Sequence, residues 1–114
     1  MSKTSLASSA LSSEARTALH DLGINIQLAR KKRRWRQKDL AERCFTTIPT
    51  IRRLEKGEPT VQLGILLQVL SVLGMISHVK ELAAPSRDDV GMGMEISNAP
   101  KRIKPPQNKK NLDF

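Results

Sequence analysis

Within the stretch Thr47-Ile-Pro-Thr-Ile-Arg-Arg-Leu-Glu-Lys56 the chain sets hydroxyls, branched apolar side chains and cations at helical spacing. Arg52 and Arg53 offer planar forks of donors that match guanine O6 and N7, and Ile48 or the methyl of Thr50 suits the methyl of thymine. Lys56 adds a point charge. From Arg30 to Lys56 there are eleven Lys/Arg against three Asp/Glu, a local charge of +8 in a chain of net charge +9. Residues 1–29 sum to zero, 57–100 to −3 and 101–114 to +4. A field concentrated in so short a segment attracts polyanions and speeds their encounter. On charge alone, a solvated basic surface with no partner is an equal reading.

The elements that position these residues read as helices. Ser12 or Ser13 caps a helix from about Ser13 to Arg33, with Glu14 in its first turn. Ala15, Leu19, Leu22, Ile26 and Ala29 recur on one face of it. Gly23 weakens or bends this helix, by ~1 kcal/mol relative to Ala if it is exposed. Arg30, Lys31, Lys32, Arg33 and Arg34 close it, where cations also stabilise the negative end of the helix dipole. Gln37–Arg43 reads as a short helix burying Leu40 and Ala41. After a break at Phe45 and Thr46, Thr47 caps a helix with Pro49 in its first turn, and Gly57 ends it. Thr60 is expected to cap a helix from Val61 to about Leu73. Only Gly64, Gln68 and Ser71 interrupt its apolar surface, so it should be buried on most sides, part of it against a second subunit. A last short helix is expected over about Ser77 to Ala83, stopped by Pro85. Residues 1–11 read as a disordered leader, 12–84 as the folded domain, and 85–114 as a flexible basic tail with patches at Lys101, Arg102 and Lys104 and at Lys109 and Lys110.

Composition narrows the class further. A chain of 114 residues holds one domain with a modest core. Aromatics are confined to Trp35, Phe45 and Phe114, so the core must be aliphatic, which favours packed helices: an all-α fold. Cys44 is the one cysteine, which excludes an internal disulfide, and it reads as a small buried hydrophobe. No apolar run approaches the ~20 residues of a membrane span, and no signal peptide is evident, so a cytoplasmic protein is expected. His20 and His78 stand far apart and give no metal-ligand spacing. Neither a phosphate-cradling glycine loop nor a nucleophile with its base is present; no cofactor and no enzyme activity are expected. Trp35, beside the first interhelical turn, reads as core rather than as a base-stacking platform.

Two short helices joined by a tight turn, the second capped by Thr and bearing exposed arginines, make a helix-turn-helix. Ala41 lets the pair approach closely, and Leu40, Ile51 and Leu54 set the second helix at a steep angle. Residues Ile24 to Leu73 resemble the helix-turn-helix domain of the XRE/Cro–cI repressor family. The resemblance rests on Leu28-Ala-Arg, Trp35-Arg-Gln-Lys-Asp-Leu-Ala-Glu-Arg and Thr50-Ile-Arg-Arg-Leu-Glu-Lys-Gly. It implies a lambda-repressor-like bundle of about five helices, acting as a homodimer on an inverted-repeat operator in double-stranded DNA. By the same resemblance, Gln37 caps the first motif helix or meets a phosphate, Thr47 caps the recognition helix and reaches a phosphate, Ile48, Pro49, Thr50, Arg52 and Arg53 fall where base edges or the backbone are read, and Lys56 meets a phosphate. Glu55 matches a carboxylate that pairs with an arginine of the first helix, here Arg30. The family often has glycine in the turn, where this chain has Phe45. Phenylalanine at positive φ is uncommon, so a turn built differently is expected; the alternatives are a strained Phe45 or one that reaches a partner.

The tail, Ala99-Pro-Lys-Arg-Ile-Lys-Pro and Lys109-Lys-Asn-Leu-Asp-Phe, is similar to tails of HipB-type regulators encoded beside HipA-like kinase toxins. That resemblance implies an antitoxin that represses its own operon and binds the kinase, in the cytoplasm and on the nucleoid. A solvated tail adding nonspecific DNA affinity is an equal reading. Two other functions stay open: a stand-alone transcriptional regulator of the same fold, and a protein-interaction module that has lost DNA binding.

Overall fold

The computed structural model describes residues 10–98. Among them the chain is helical throughout, with no strand: α1 Ser13–Lys32, α2 Gln37–Arg43, α3 Ile48–Glu55, α4 Leu63–Val72, α5 Ile76–Val79, a 3-10 turn Pro85–Arg87, and α6 Asp89–Asn98. The chain divides into two units, Met1–Val79 and Lys80–Phe114. No helix among the described residues is long and apolar enough to cross a membrane.

In the first unit each of the first three helices starts at a capping group within its own sequence. Ser12 accepts from the Ala15 N–H at 3.0 Å and opens α1. Asp39 accepts from the Arg36 N–H at 2.8 Å and opens α2. Thr47 accepts from the Thr50 N–H at 3.3 Å and opens α3. These bonds satisfy donors that a helix N-terminus otherwise leaves unpaired. The core they enclose is aliphatic: Ile26 and Ala29 of α1, Leu40 and Ala41 of α2, Cys44, Ile51 and Leu54 of α3, Val69 of α4, and Leu73.

Four successive helices end by one device, the Schellman motif, in which a residue with left-handed backbone lets two further N–H groups turn back onto the last carbonyls. In α3, Gly57 donates to the Leu54 carbonyl and Glu58 to that of Arg53, at 3.0 and 3.1 Å. In α2, Phe45 donates to Glu42 at 3.3 Å and Thr46 to Ala41 at 2.9 Å. The left-handed residues are Arg34 (φ 60°), Phe45 (57°), Gly57 (77°) and Gly74 (80°). The turn at Phe45 is therefore the ordinary one, not the rebuilt turn expected from the sequence; the register of Ala41 and Ile51 requires it, and Phe45 takes the conformation that glycine usually supplies.

Gly23 neither breaks nor bends α1 out of helix; it is buried at the crossing with α3. A Cβ there would lie 2.8 Å from the Glu55 carbonyl carbon and 2.9 Å from the Leu54 carbonyl oxygen. Gly57 sits on the same crossing, where a Cβ would lie 2.7 Å from the Leu19 carbonyl oxygen. The two backbones meet because both glycines lack a side chain.

The second half of the unit departs from the sequence reading. Thr60 caps nothing: Pro59 and the exit from α3 hold the chain in a turn, Val61 packs against the core, and α4 begins only at Leu63. Nor is α4 enclosed within one chain; Val69 is buried, most of its other apolar side chains are half-buried, and Leu63 is 68% exposed. The last helix of the unit, α5, is four residues long and ends at Val79 instead of reaching Ala83, which itself adopts left-handed backbone.

In the second unit, residues read from the sequence as tail form the 3-10 turn and α6. Asp88 accepts from the Gly91 N–H at 2.8 Å and acts as the cap. Val90, Met94 and Ile96 of this helix are exposed. The basic patches at residues 101–110, and all of the expected leader but its last two residues, lie outside the described residues.

The α1–α3 crossing sets a test. Alanine is favoured over glycine by ~1 kcal/mol within a helix, but at Gly23 the added carbon meets backbone that cannot step aside. Overpacking of this kind costs roughly 1–3 kcal/mol. Gly23→Ala is expected to lower the urea midpoint of unfolding, whereas Gly64→Ala, with open space around it, is expected to leave or raise it.

Candidate nucleic-acid interface

The alternation of side chains along α3 decides what it can touch. Ile51, Leu54 and Glu55 face inward, and Pro49, Arg52, Arg53 and Lys56 are exposed. The outward surface is thus basic and uninterrupted by carboxylates. The first turn of α3 carries no acidic residue, unlike those of α1 and α2, so the positive end of its dipole is not neutralised locally. Thr50 is half-buried, its hydroxyl 2.9 Å from that of Thr47. Ile48 is half-buried and packs against the core, so only part of its side chain remains open to solvent.

Behind this face lies a buried ion pair. Arg30 donates from Nε to Glu55 Oε2 at 2.7 Å and from Nη2 to Oε1 at 3.0 Å, with side chains 8% and 3% exposed. Its Nη1 donates to the Trp35 carbonyl at 2.8 Å. Gln37 adds an amide donor to Glu55 Oε1 at 3.1 Å. The side chain of Gln37 is therefore engaged in this network and does not cap α2, one of the two roles suggested for it by the sequence. Asp39 takes the capping role, and Arg36, donating to it from side chain and backbone, holds its carboxyl down to about 2.

The eleven cations between Arg30 and Lys56 fall into two sets. Arg30 holds Glu55. Arg33 donates to the Ala29 carbonyl at 2.7 Å and to that of Leu73 at 2.8 Å, closing the end of α4 against that of α1. Arg36 pairs with Asp39, and the guanidinium of Arg43 lies 4.1 Å from the centre of the Trp35 ring. Trp35 is half-buried against the core, and Arg43 lies over its ring. Lys31, Lys32, Arg34, Lys38, Arg52, Arg53 and Lys56 are exposed and take part in no ion pair among the described residues. The sequence located the charge but did not divide it. The spacing of Arg36 and Asp39 was the one legible sign of a local pair; the roles of Arg33 and Arg43 depend on tertiary contacts.

Cys44 is buried, and burial pushes its thiol up, so it stays a neutral core side chain. Among the described residues no group of three or more His, Cys, Asp and Glu could hold a metal ion.

Comparison with known proteins agrees with this geometry. Residues 26–80 match the helix-turn-helix family, of the XRE type. A protein named as an uncharacterized HTH-type transcriptional regulator, y4mF of Sinorhizobium fredii (strain NBRC 101917 / NGR234), is 41% identical over 54 residues, which are 47% of this chain and 71% of that protein. No solved structure matches the chain.

Removing one member of a buried pair strands the other's charge, at a cost of ~3–5 kcal/mol. Glu55→Leu and Arg30→Met are each expected to destabilise the fold by about that amount. Their combination is expected to cost clearly less than the sum, as read by chemical denaturation in a double-mutant cycle.

Proposed function

The chain belongs to the XRE-type helix-turn-helix transcriptional regulators, which bind DNA and are not enzymes, and from that premise we propose that it is a sequence-specific repressor that reads an inverted-repeat operator as a homodimer. The observation that carries this reading is the exposure of Arg52, Arg53 and Lys56 together on the outward face of α3. An α-helix fits the major groove, and arginine is the commonest specific partner of guanine there. In this reading α3 enters the groove and Arg52 and Arg53 contact base edges. Lys56 and exposed cations of the preceding segment neutralise phosphates, and Thr47, Pro49 and Thr50 lie against the backbone or a base edge at the entering end. Gln37, half-buried, gives one amide hydrogen to Glu55 and keeps a second for a phosphate.

The homodimer reading draws support from the apolar surface of the Val61–Ile76 segment, where Leu63 and Ile76 are exposed. Two half-sites would then lie about one helical turn, ~34 Å, apart. The resemblance of the tail to HipB-type regulators supports a finer role: an antitoxin that represses its own operon on the nucleoid and binds a HipA-like kinase. A second reading, a stand-alone regulator of the same fold, fits the name of the Sinorhizobium relative, an HTH-type transcriptional regulator, equally well. Co-purification of a HipA-like kinase with the full chain separates the two.

Two measurements test the DNA reading and the dimer. Titration of a duplex selected by the full chain from a random pool is expected to show affinity falling steeply with salt, as released counterions require. Arg52→Ala and Arg53→Ala should each cost ~1–3 kcal/mol where the side chain makes a bidentate base contact, while Lys56→Ala should weaken all sequences alike. Wild-type binding by both arginine variants would remove the recognition face from α3. Sedimentation at micromolar concentration is expected to show a dimer that Leu63→Glu weakens, and a monomeric wild type would refute the proposed interface.

A further inference from the structure

The turn that joins α2 to α3 holds a residue whose conformation is unfavourable and whose side chain contributes no packing. Phe45 has φ 57°, a region where a Cβ crowds the backbone and where glycine is at ease. At the equivalent position of the same motif α3 uses Gly57 and α4 uses Gly74, while α1 places the polar Arg34 there. Strain of this kind is often offset by burial, yet Phe45 is 89% exposed, the largest exposure of any large hydrophobic residue in the described chain. A glycine here would make the same turn with less strain and without exposing a ring to water.

Its location supplies the reason to keep it. Phe45 stands two residues before Thr47, the cap of α3, and so at the end of the helix that enters the groove in the reading above. Of the other apolar side chains at that end, Ile48 packs against the core and only the small ring of Pro49 is exposed. No other large hydrophobic side chain of α2, α3 or their turn is exposed, so Phe45 has no large apolar neighbour exposed on these elements. Exposed Arg52 and Arg53 on the adjoining helix draw a polyanion to this surface. The apolar group a duplex presents in its major groove is the thymine 5-methyl, which phenylalanine can contact.

We infer that Phe45 is a specificity-determining DNA contact, packing against a thymine methyl beside the entering end of α3. The inference rests on the DNA-binding reading and fails separately from it. The test uses the full chain and a duplex that the wild type selects from a random pool, with each thymine replaced in turn by uracil, which lacks the methyl. For wild type, one uracil position per half-site beside the α3 contacts is expected to weaken binding about threefold to fivefold, the worth of one buried methyl. Phe45→Gly is expected to melt several degrees higher, because the strain is relieved. It should bind the thymine duplex roughly tenfold more weakly, keep the salt slope, and lose its sensitivity to uracil at that position. If Phe45→Gly binds like wild type, retains the uracil pattern or melts lower, the inference is overturned. A wild type that selects no duplex overturns the DNA-binding reading itself, and this inference with it.

Discussion

A charged pair taken out of water costs more than its mutual attraction returns unless almost every donor and acceptor it carries is used. Arg30 and Glu55 come close to that condition, through two bonds to each other, one from Arg30 to the Trp35 carbonyl and one from Gln37 to Glu55. The network therefore ties together α1, the α1–α2 connection, α2 and α3, and its geometry tolerates little displacement of any of them. Glu55 acts twice at this crossing. Its backbone carbonyl lies against Gly23, and its side chain reaches Arg30, about two turns further along the same helix. Close backbone approach and buried charge thus fix the inner side of α3, and the direction in which Arg52 and Arg53 project follows from them.

The remaining packing reinforces that placement from behind. Ile51 and Leu54 lock the inner face of α3 onto Ile26, Ala29 and Leu40 of the shared core. Arg33 joins the ends of α1 and α4 through their carbonyls, so α4 is held by its C-terminus as well as by Val69. Each of the first four helices then ends in a left-handed residue, which turns the chain sharply and keeps the connections between them short. A motif helix only eight residues long has little intrinsic stability, since nucleation consumes most of what so few hydrogen bonds return. Its persistence depends on the surrounding scaffold.

What could be read from the sequence was whatever is encoded locally. Ser12, Thr47 and Gly57 mark helix ends through bonds within a few residues, and α1, α2 and α3 appear within a residue or so of where those signals place them. The start of α4 was misread because Thr60 is a capping residue by type but sits in a turn imposed by Pro59 and by the exit from α3. The helix Asp89–Asn98 was missed although Asp88 is a good cap, since Gly91 and Gly93 obscure its periodicity. Of the candidate site residues, Arg52, Arg53 and Lys56 appear exposed on α3 as read, because one buried stripe settles which face is outward. Gln37 and Ile48, read as meeting a ligand, are half-buried and each also has an internal partner, Gln37 in Glu55 and Ile48 in the core. Which side of a short helix a residue at the margin of the stripe joins depends on neighbours distant in sequence. Phe45 was recognised as anomalous but assigned to an altered turn; the αL backbone is set by the register of both helices, which overrides the preference of the residue itself.

The division of cations follows side-chain chemistry. Every basic residue between Arg30 and Lys56 with an internal structural role is an arginine: Arg30, Arg33, Arg36 and Arg43. The guanidinium suits these roles because its fork of fixed donors serves several acceptors at once, and its plane lies flat on an indole ring. Every lysine of the segment, Lys31, Lys32, Lys38 and Lys56, is left in solvent, where a flexible, strongly hydrated point charge contributes field without geometry. Against that partition three exposed arginines stand out, Arg34, Arg52 and Arg53, and of these Arg52 and Arg53 lie on α3. They retain the directional group with no internal acceptor among the described residues, on a helix whose inner face is fixed by buried charge and close backbone contact. A guanidinium held rigidly at its base and unpaired at its tip is suited to an acceptor pattern supplied from outside, and the edge of a guanine is such a pattern. The lysines around it would contribute affinity that depends on phosphate density and salt, so that orientation comes from the arginines and attraction from the field as a whole.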